Sequence, residues 1–397
     1  MSNPPQARRI VFWQPIASPH QEAFLEAVAA RFSGEVILGY EDWLPESRRQ
    51  QGWPPCQFEH VEAVDISNSH NWARLAGYGT PTDVHVFTGF FSHPLVWRGF
   101  FELRSSAARL AIFSEAPEQP WWNGWIKRLR GRALATRWQN RFFCVLACGE
   151  MGCKFFLRSG FSPDKVLPFG YFLADQSPPV VSPRPMAPSP AAPGQGLAHQ
   201  PPFEQASVDR VRFIYAGQCV PRKGIDILIE AIAIIGSGAW HLDIYGDGPL
   251  RTALEMLQEE PGMRERIRLH GVVPNRDVPP LLAGADWTLL PSRFDGWGVL
   301  VNESLAAGTP VVCTDRCGAS CLVQDDQMGR VVEAGSVASL AAALESAIGG
   351  GPVQADRRTQ LAATAAAFSA SRAAEFFLDT IAGGPDATRV RMQQWLL

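Results

Sequence analysis

The sequence predicts an α/β protein organised as two parallel-sheet units. Three observations carry that reading. Short apolar, strand-like runs alternate with helix-like segments almost throughout; the alternation comes in two series separated by a proline-rich interval; and each strand-like run of the second series ends in a glycine or polar loop. Such alternation is the mark of parallel strands covered by helices on both faces. At 397 residues and 46% hydrophobic, the chain can bury two cores, and ordinary domain sizes favour two domains over one.

In the first series, residues 1–176, the strand-like runs are RIVFWQPI (9–16), EVILGY (35–40), DVHVFTG (83–89), ARLAIFSE (108–115), FFCVLACG (142–149) and KVLPFGYF (165–172). Helices are expected at 20–32, near 95–107 and at 150–159. From 177 to 207 proline, alanine and glycine replace any apolar period, which reads as a linker or insert. The second domain, 208–368, begins with VRFIYAG (211–217) and continues with WHLDIYGDG (240–248), IRLHGVV (267–273), DWTLLPS (286–292), TPVVCTD (309–315) and GRVVE (329–333). Its helices are expected at 224–235, 249–259, 277–284, 298–307 and 337–348. A helical tail over 369–397 is expected to pack back on the N-terminal domain.

Composition excludes several function classes. A net charge of -3 gives no global attraction to nucleic acid. No apolar run reaches the roughly 20 residues of a spanning helix, and the N-terminal residues lack a signal-peptide pattern, so a cytoplasmic location is expected. Eight cysteines fit a reducing compartment. Cys313, Cys317 and Cys321 recur every four residues, but without paired Cys-x-x-Cys spacing or a nearby histidine they read as reduced thiols, not a metal site.

The most informative segment is FDGWGVLVNESLAAGTPVV, 294–312, which packs an acid, a Gly-Trp-Gly loop and a second acid into one loop-helix-strand unit. The backbone amides of Gly296, Trp297 and Gly298, with the start of the following helix, can seat a diphosphate. After the strand ending at Gly217, PRKG places Arg222 and Lys223 at a helix entry. Two cations there add to an end that already carries partial positive charge, and a bound phosphate would offset both. Gly246, Asp247 and Gly248 form a weak phosphate-loop pattern, for which a plain strand-to-helix turn is the more frequent explanation. Val272 and Val273 could offer apolar edges to a flat base, or serve a core.

The order FIYAG…PRKG, IYGDGPLR, LHGVVPNRDV and LLPSRFDGWGVLVNESLAAGTPVV closely resembles the nucleotide-sugar half of the family-4 retaining glycosyltransferases, over 211 to about 348. The resemblance implies two Rossmann-like domains facing a central cleft (the GT-B fold), with 1–176 as the acceptor half. It implies transfer of a hexosyl group from a nucleotide diphosphate sugar, a co-substrate, so that no cofactor is expected. By resemblance Lys223 pairs with the donor diphosphate with help from Arg222. Asp295 contacts the transferred sugar, Glu303 the ribose, and the Gly296, Trp297 and Gly298 amides cover the phosphates. Two departures stand out: Asp295 is one methylene shorter than the usual Glu, and Gln218 replaces a commonly present arginine.

Those roles have a physical logic of their own. Breaking a sugar–diphosphate bond develops negative charge on the leaving phosphate, which calls for cations and amides at one end. No Asp-x-Asp pair occurs to hold a divalent ion, so metal-independent chemistry is expected. In the first domain the strand ends carry Ser18, Pro19 and His20, then Thr88 and Gly89, then Ser114 and Glu115. Of these Ser18, His20 and Glu115 are the candidates for acceptor or sugar contact, with Glu115, Asp295 and Lys223 as the catalytic set.

The stretch 121–141, WWNGWIKRLRGRALATRWQNR, holds six basic residues and no acid. Tryptophans beside a basic helix suit the headgroup layer of an anionic membrane, and a lipid-linked acceptor would explain it; a solvated helix with inward tryptophans is the alternative. The expected function is thus a cytoplasmic retaining glycosyltransferase at the inner face of the membrane, in bacterial polysaccharide or glycolipid biosynthesis. A nucleotide-sugar epimerase, a phosphorylase on the same fold and a non-catalytic scaffold are the rivals.

Overall fold

Strands buried on both faces are continuous apolar runs, and Ile10, Val11, Phe12 and Trp13 in the first strand, all wholly buried, are of this kind. The computed structural model describes residues 6–89, 93–118, 124–175, 210–236 and 238–384. The 177–207 linker, Trp121, Trp122 and the tail beyond Gly384 lie outside the described residues. The chain divides into two units: one takes the chain up to Glu46, Pro55–Asp175 and the chain from Ala367; the other takes Ser47–Pro54 and the chain up to Ala366.

In the first unit the elements are β1 (Arg9–Ile16), α1 (Pro19–Arg31), β2 (Glu35–Asp42), α2 (Glu46–Arg49), β3 (Glu62–Asp65), α3 (Ser69–Ala76), β4 (Asp83–Thr88), α4 (Pro94–Leu103), β5 (Arg109–Ser114), α5 (Gly124–Trp138), β6 (Phe142–Cys148), α6 (Gly149–Ser159) and β7 (Val166–Phe169). Of these α2 leads out of the unit. The seven strands pair in the order β3-β2-β1-β4-β5-β6-β7, every pair parallel.

In the second unit follow β8 (Val211–Ala216), α7 (Ile225–Ile235), β9 (Trp240–Tyr245), α8 (Arg251–Glu259), β10 (Ile267–Gly271), α9 (Val278–Gly284), β11 (Trp287–Leu290), α10 (Leu300–Ala306), β12 (Val311–Thr314), β13 (Gly329–Val332), α11 (Val337–Gly349) and α12 (Ala355–Ala365). The sheet order is β10-β9-β8-β11-β12-β13, again all parallel. Both halves are therefore Rossmann-like.

Three local differences from the sequence expectation have plain causes. β3 reads EAVD with one fully buried residue, so an edge strand this polar leaves no apolar run to see. The helix expected to reach 107 stops at Leu103, where two serines follow. The alanine-rich stretch 354–382, expected to be helical throughout, is interrupted because the Ser369 hydroxyl caps a new helix, α13 (Ala370–Gly383), by accepting from the Arg372 amide. That helix buries Phe377 against Phe12 and Phe24, with ring centroids 5.6 Å from each. The Ala370 amide donates to the Leu173 carbonyl at 2.9 Å, so α13 is part of the first unit.

Candidate functional site

In the second sheet the chain starts at β8 in the middle, moves outward through β9 and β10, then crosses back to β11 on the other side. The loops leaving β8 and β11 consequently diverge from adjacent strand ends, and open parallel sheets bind ligands at such a switch point. The β8 loop ends in one turn of 3-10 helix, Pro221–Lys223, and Gly224 in the left-handed region, so Arg222 and Lys223 precede α7 by a turn. A side chain at Gly224 would place its Cβ 1.9 Å from the Pro291 carbonyl oxygen. Only glycine lets the two loops approach this closely.

Hydrogen bonds lace the loops together. The Arg222 guanidinium donates to the Phe294 carbonyl at 3.0 Å, and the Arg293 amide donates to the Arg222 carbonyl at 2.9 Å. Arg293 also donates to the Pro221 carbonyl at 2.7 Å and twice to the Asp226 carboxylate at 2.6 Å. The outcome is an ion pair across the switch point. Lys223 Nζ lies 2.5 Å from Asp295 Oδ2, with side chains only 17% and 14% exposed.

Asp295 is held from behind. Its amide donates to the Arg316 carbonyl at 2.9 Å and its carbonyl accepts from the Gly318 amide at 3.1 Å. The Trp297 indole is buried and donates to Asn302 Oδ1 at 2.9 Å, while the Trp297 carbonyl takes the Cys317 thiol and the Ala319 amide. These contacts stiffen the turn and leave the Gly296 and Gly298 amides without an acceptor among the described residues. Cys313 and Cys317 are buried free thiols, and burial pushes the Cys317 thiol well above its usual value.

Glu303, on α10, has a different character. Its half-buried carboxyl makes no hydrogen bond among the described residues, and burial pushes it up to about 7. A carboxylate withdrawn from water without donors is costly, and hydroxyls of a bound ligand would offset that cost. Further out on the same sheet, the Gly217 amide donates to the Tyr245 carbonyl at 2.9 Å and the Gly246 amide to the Gly271 carbonyl at 2.7 Å. Asp247 is engaged within its own loop, accepting from the Gly248 amide at 2.7 Å. Val272 is 43% exposed just beyond β10, and Val273 is half-buried.

The first unit gathers a separate polar cluster at the carboxyl ends of its strands. The Tyr171 hydroxyl donates to Glu115 Oε1 at 2.7 Å, and the His20 ring stacks on Tyr171 with centroids 6.5 Å apart. Burial, reinforced by the Glu115 charge, raises the Tyr171 hydroxyl well above its usual range and keeps it a donor. Beneath them the Gln14 amide donates to Gln21, both buried. Ser18 begins α1 without a side-chain capping bond. Glu41 Oε1 and Thr88 Oγ1 are withdrawn from water with no hydrogen-bond partner among the described residues.

His20 and Glu115 are thus brought together through Tyr171, which the sequence reading did not single out. Arg293 and Asp226 were likewise missed. An arginine beside FDG and an aspartate in the first turn of a helix both look like ordinary surface charge until the loops meet.

Residues 210–349 match the family described as Glycosyl transferases group 1. Over 139 residues the chain is 30% identical to the alpha-D-kanosaminyltransferase of Streptomyces kanamyceticus, covering 34% of this chain and 36% of that protein. Over 133 residues it is 35% identical to the lipopolysaccharide core biosynthesis glycosyltransferase LpsE of Rhizobium meliloti, covering 33% and 38%. The matched stretch spans little more than a third of these relatives. The fold likeness extends further: the structure of Anabaena HepE in complex with UDP and glucose superposes with a TM-score of 0.64 at 16% identity, covering 94% of this chain and 99% of that one.

Proposed function

We propose that residues 210–349, which match the family described as Glycosyl transferases group 1, act as a glycosyltransferase domain, and that the chain transfers a hexosyl group from a nucleotide diphosphate sugar to an acceptor hydroxyl with retention of configuration. The Lys223–Asp295 pair at the switch point carries the proposal. It sets a cation for the diphosphate 2.5 Å from a carboxylate for the sugar hydroxyls, the separation of charge that a sugar–phosphate bond develops as it breaks. Arg222 and the Gly296 and Gly298 amides add positive potential on the phosphate side.

Glu303 accepts from the ribose hydroxyls, which return the donors its buried carboxyl lacks. The base lies toward Val272 and Val273. As the bond from the anomeric carbon to the diphosphate breaks, the leaving oxygen takes up the electron pair beside Lys223, and the acceptor oxygen forms the new bond to the anomeric carbon while its proton passes to the leaving phosphate. Leaving-group charge is met by protein cations and amides, so the reaction needs no divalent ion.

In the first unit the Glu115, Tyr171 and His20 cluster, with Ser18, offers polar contacts for the acceptor. LpsE is named for lipopolysaccharide core synthesis, which supports a sugar or lipid-linked acceptor and a place in bacterial polysaccharide or glycolipid assembly. No helix among the described residues is long and apolar enough to cross a membrane. On α5, Trp125, Ile126 and Leu129 are 54%, 37% and 53% exposed beside exposed Arg128, Arg130 and Arg132. Apolar tips interleaved with cations suit peripheral contact with the anionic inner face.

The test is turnover of UDP-, GDP- and ADP-hexoses with a lipid-linked acceptor extract, reading nucleotide release and the anomeric configuration of the product by NMR. Release that depends on acceptor and gives the donor's anomer is expected. An inverted product overturns the retaining assignment, and sugar released only as a phosphate ester in inorganic phosphate points to a phosphorylase.

A further inference from the structure

One stretch of the N-terminal third of the chain belongs to the nucleotide-binding unit. Ser47–Pro54, flanked on both sides by residues of the first unit, groups with the second. Its seat is the loop after β10. The Asn275 amide donates to the Gly52 carbonyl at 3.0 Å. Gly52 has φ +81, and a Cβ there would stand 2.5 Å from the Val273 carbonyl oxygen, so glycine both makes the turn and permits the contact.

The turn is internally braced. The amides of Gln51 and Trp53 both donate to the Arg48 carbonyl, at 3.0 and 3.2 Å, and that of Gly52 donates to the Arg49 carbonyl at 3.0 Å. The Arg48 side chain donates to Gln51 Oε1 at 3.1 Å and its guanidinium lies over the Trp53 ring, 4.7 Å from the centroid. A half-buried indole with a cation on it is thereby fixed one residue from the Gly52–Val273 contact.

Distance says what could reach it. β10 lies two strands from β8, which at ordinary strand spacing is about 10 Å. A diphosphate at the β8 and β11 loops would carry its nucleoside about that far, to the exposed Val272. At that edge an aliphatic side chain gives a base one apolar contact but no π face.

The geometry points to Trp53 as the stacking platform for the donor nucleobase, held by Arg48 and by the Gly52–Val273 contact. The assignment rests on the donor reading above and adds a residue from outside the C-terminal domain to it. Gly52 sets where the platform stands; Trp53 touches the base. Stacking uses the π face that every base has, so Trp53 contributes affinity for the nucleoside, and choice among bases is left to the backbone edges of Val272 and Val273.

Calorimetry with UDP, GDP and ADP identifies the nucleoside diphosphate that wild type binds most tightly; that ligand is then titrated into Trp53→Ala, Trp53→Phe and Gly52→Ala. Trp53→Ala should weaken binding between about five-fold and a hundred-fold, the range of a lost base–aromatic stack. Trp53→Phe should retain most of the affinity but lose the ligand-induced tryptophan fluorescence change. Gly52→Ala should weaken binding with Trp53 intact, because its Cβ displaces the turn from Val273. Wild-type affinity in Trp53→Ala, or an unchanged fluorescence response in Trp53→Phe, overturns the platform while leaving the donor site standing. Wild type that binds none of the three overturns both. If Trp53→Ala fails to fold, Trp53→Phe decides the matter through its fluorescence alone.

Discussion

Replacing Glu303 by glutamine should stabilise the protein while weakening donor binding. Burial lifts this carboxyl from 4.5 to about 7, a rise of about 2.5 pH units. At about 1.4 kcal/mol per unit, ionised Glu303 costs the folded chain about 3.5 kcal/mol, or about 2 once its partial exposure is allowed for. The unfolded chain gives up this proton near 4.5 and the folded chain only near 7. Native stability therefore falls as pH rises through that window. Glutamine keeps the shape and does not titrate, so Glu303→Gln should gain on wild type by about 2 kcal/mol more at pH 8 than at pH 5. Urea unfolding of both proteins at the two pH values reads this difference directly and cancels other titrating groups. Nucleoside diphosphate affinity at pH 8 should meanwhile drop about ten-fold or more, because charge-assisted bonds to hydroxyls are lost. An advantage for the variant that is the same at both pH values, or none at all, would refute the view that a ligand-binding acid is held at the expense of stability.

Three further outcomes are expected, two at the same site and one on α5. Lys223→Ala should weaken nucleoside diphosphate binding by about 1.5 to 3 kcal/mol by calorimetry, the range for one charge-assisted contact, and unchanged affinity would remove Lys223 from the donor site. Activity should survive EDTA, since in the proposed reaction the leaving phosphate is met by side-chain cations and amides; full loss in chelator with rescue by manganese or magnesium would count against that. Neutralising Lys127, Arg128, Arg130 and Arg132 on α5 should release the protein from phosphatidylglycerol vesicles at low salt, each cation contributing about 1 kcal/mol before screening. Donor affinity should not change, and wild type that stays in the supernatant would make α5 an ordinary solvated helix.

Much of the architecture was legible because it is written in short-range pattern. Both sheets are buried on both faces, so strands such as RIVFWQPI and VRFIYAG appear as largely apolar runs. The edge strand β3, EAVD, with an acid at each end, carries no such signal. In the candidate site, Asp295 and Glu303 share one loop-helix unit and Gly224 marks a turn, features that spacing alone records. What spacing does not record is which loops meet. That Lys223 would pair with Asp295 and that Arg293 would clamp Asp226 depend on β8 and β11 being neighbours. Tyr171 and Glu115 are similarly distant in sequence and joined only by folding. The segment at Gly52 is the extreme case, since nothing in its composition says that it leaves one unit for the other.

The central claim is that the switch point of the second sheet binds a nucleotide diphosphate sugar, and thermal unfolding of the intact chain against UDP-, GDP- and ADP-sugars tests it most directly. A ligand at a hundred times its Kd stabilises the native state by about 2.7 kcal/mol. At least one of these donors should therefore raise the melting temperature of wild type in a concentration-dependent way, and the rise should shrink in Lys223→Ala. Melting curves that none of the donors moves, at concentrations up to the millimolar range, would contradict the account.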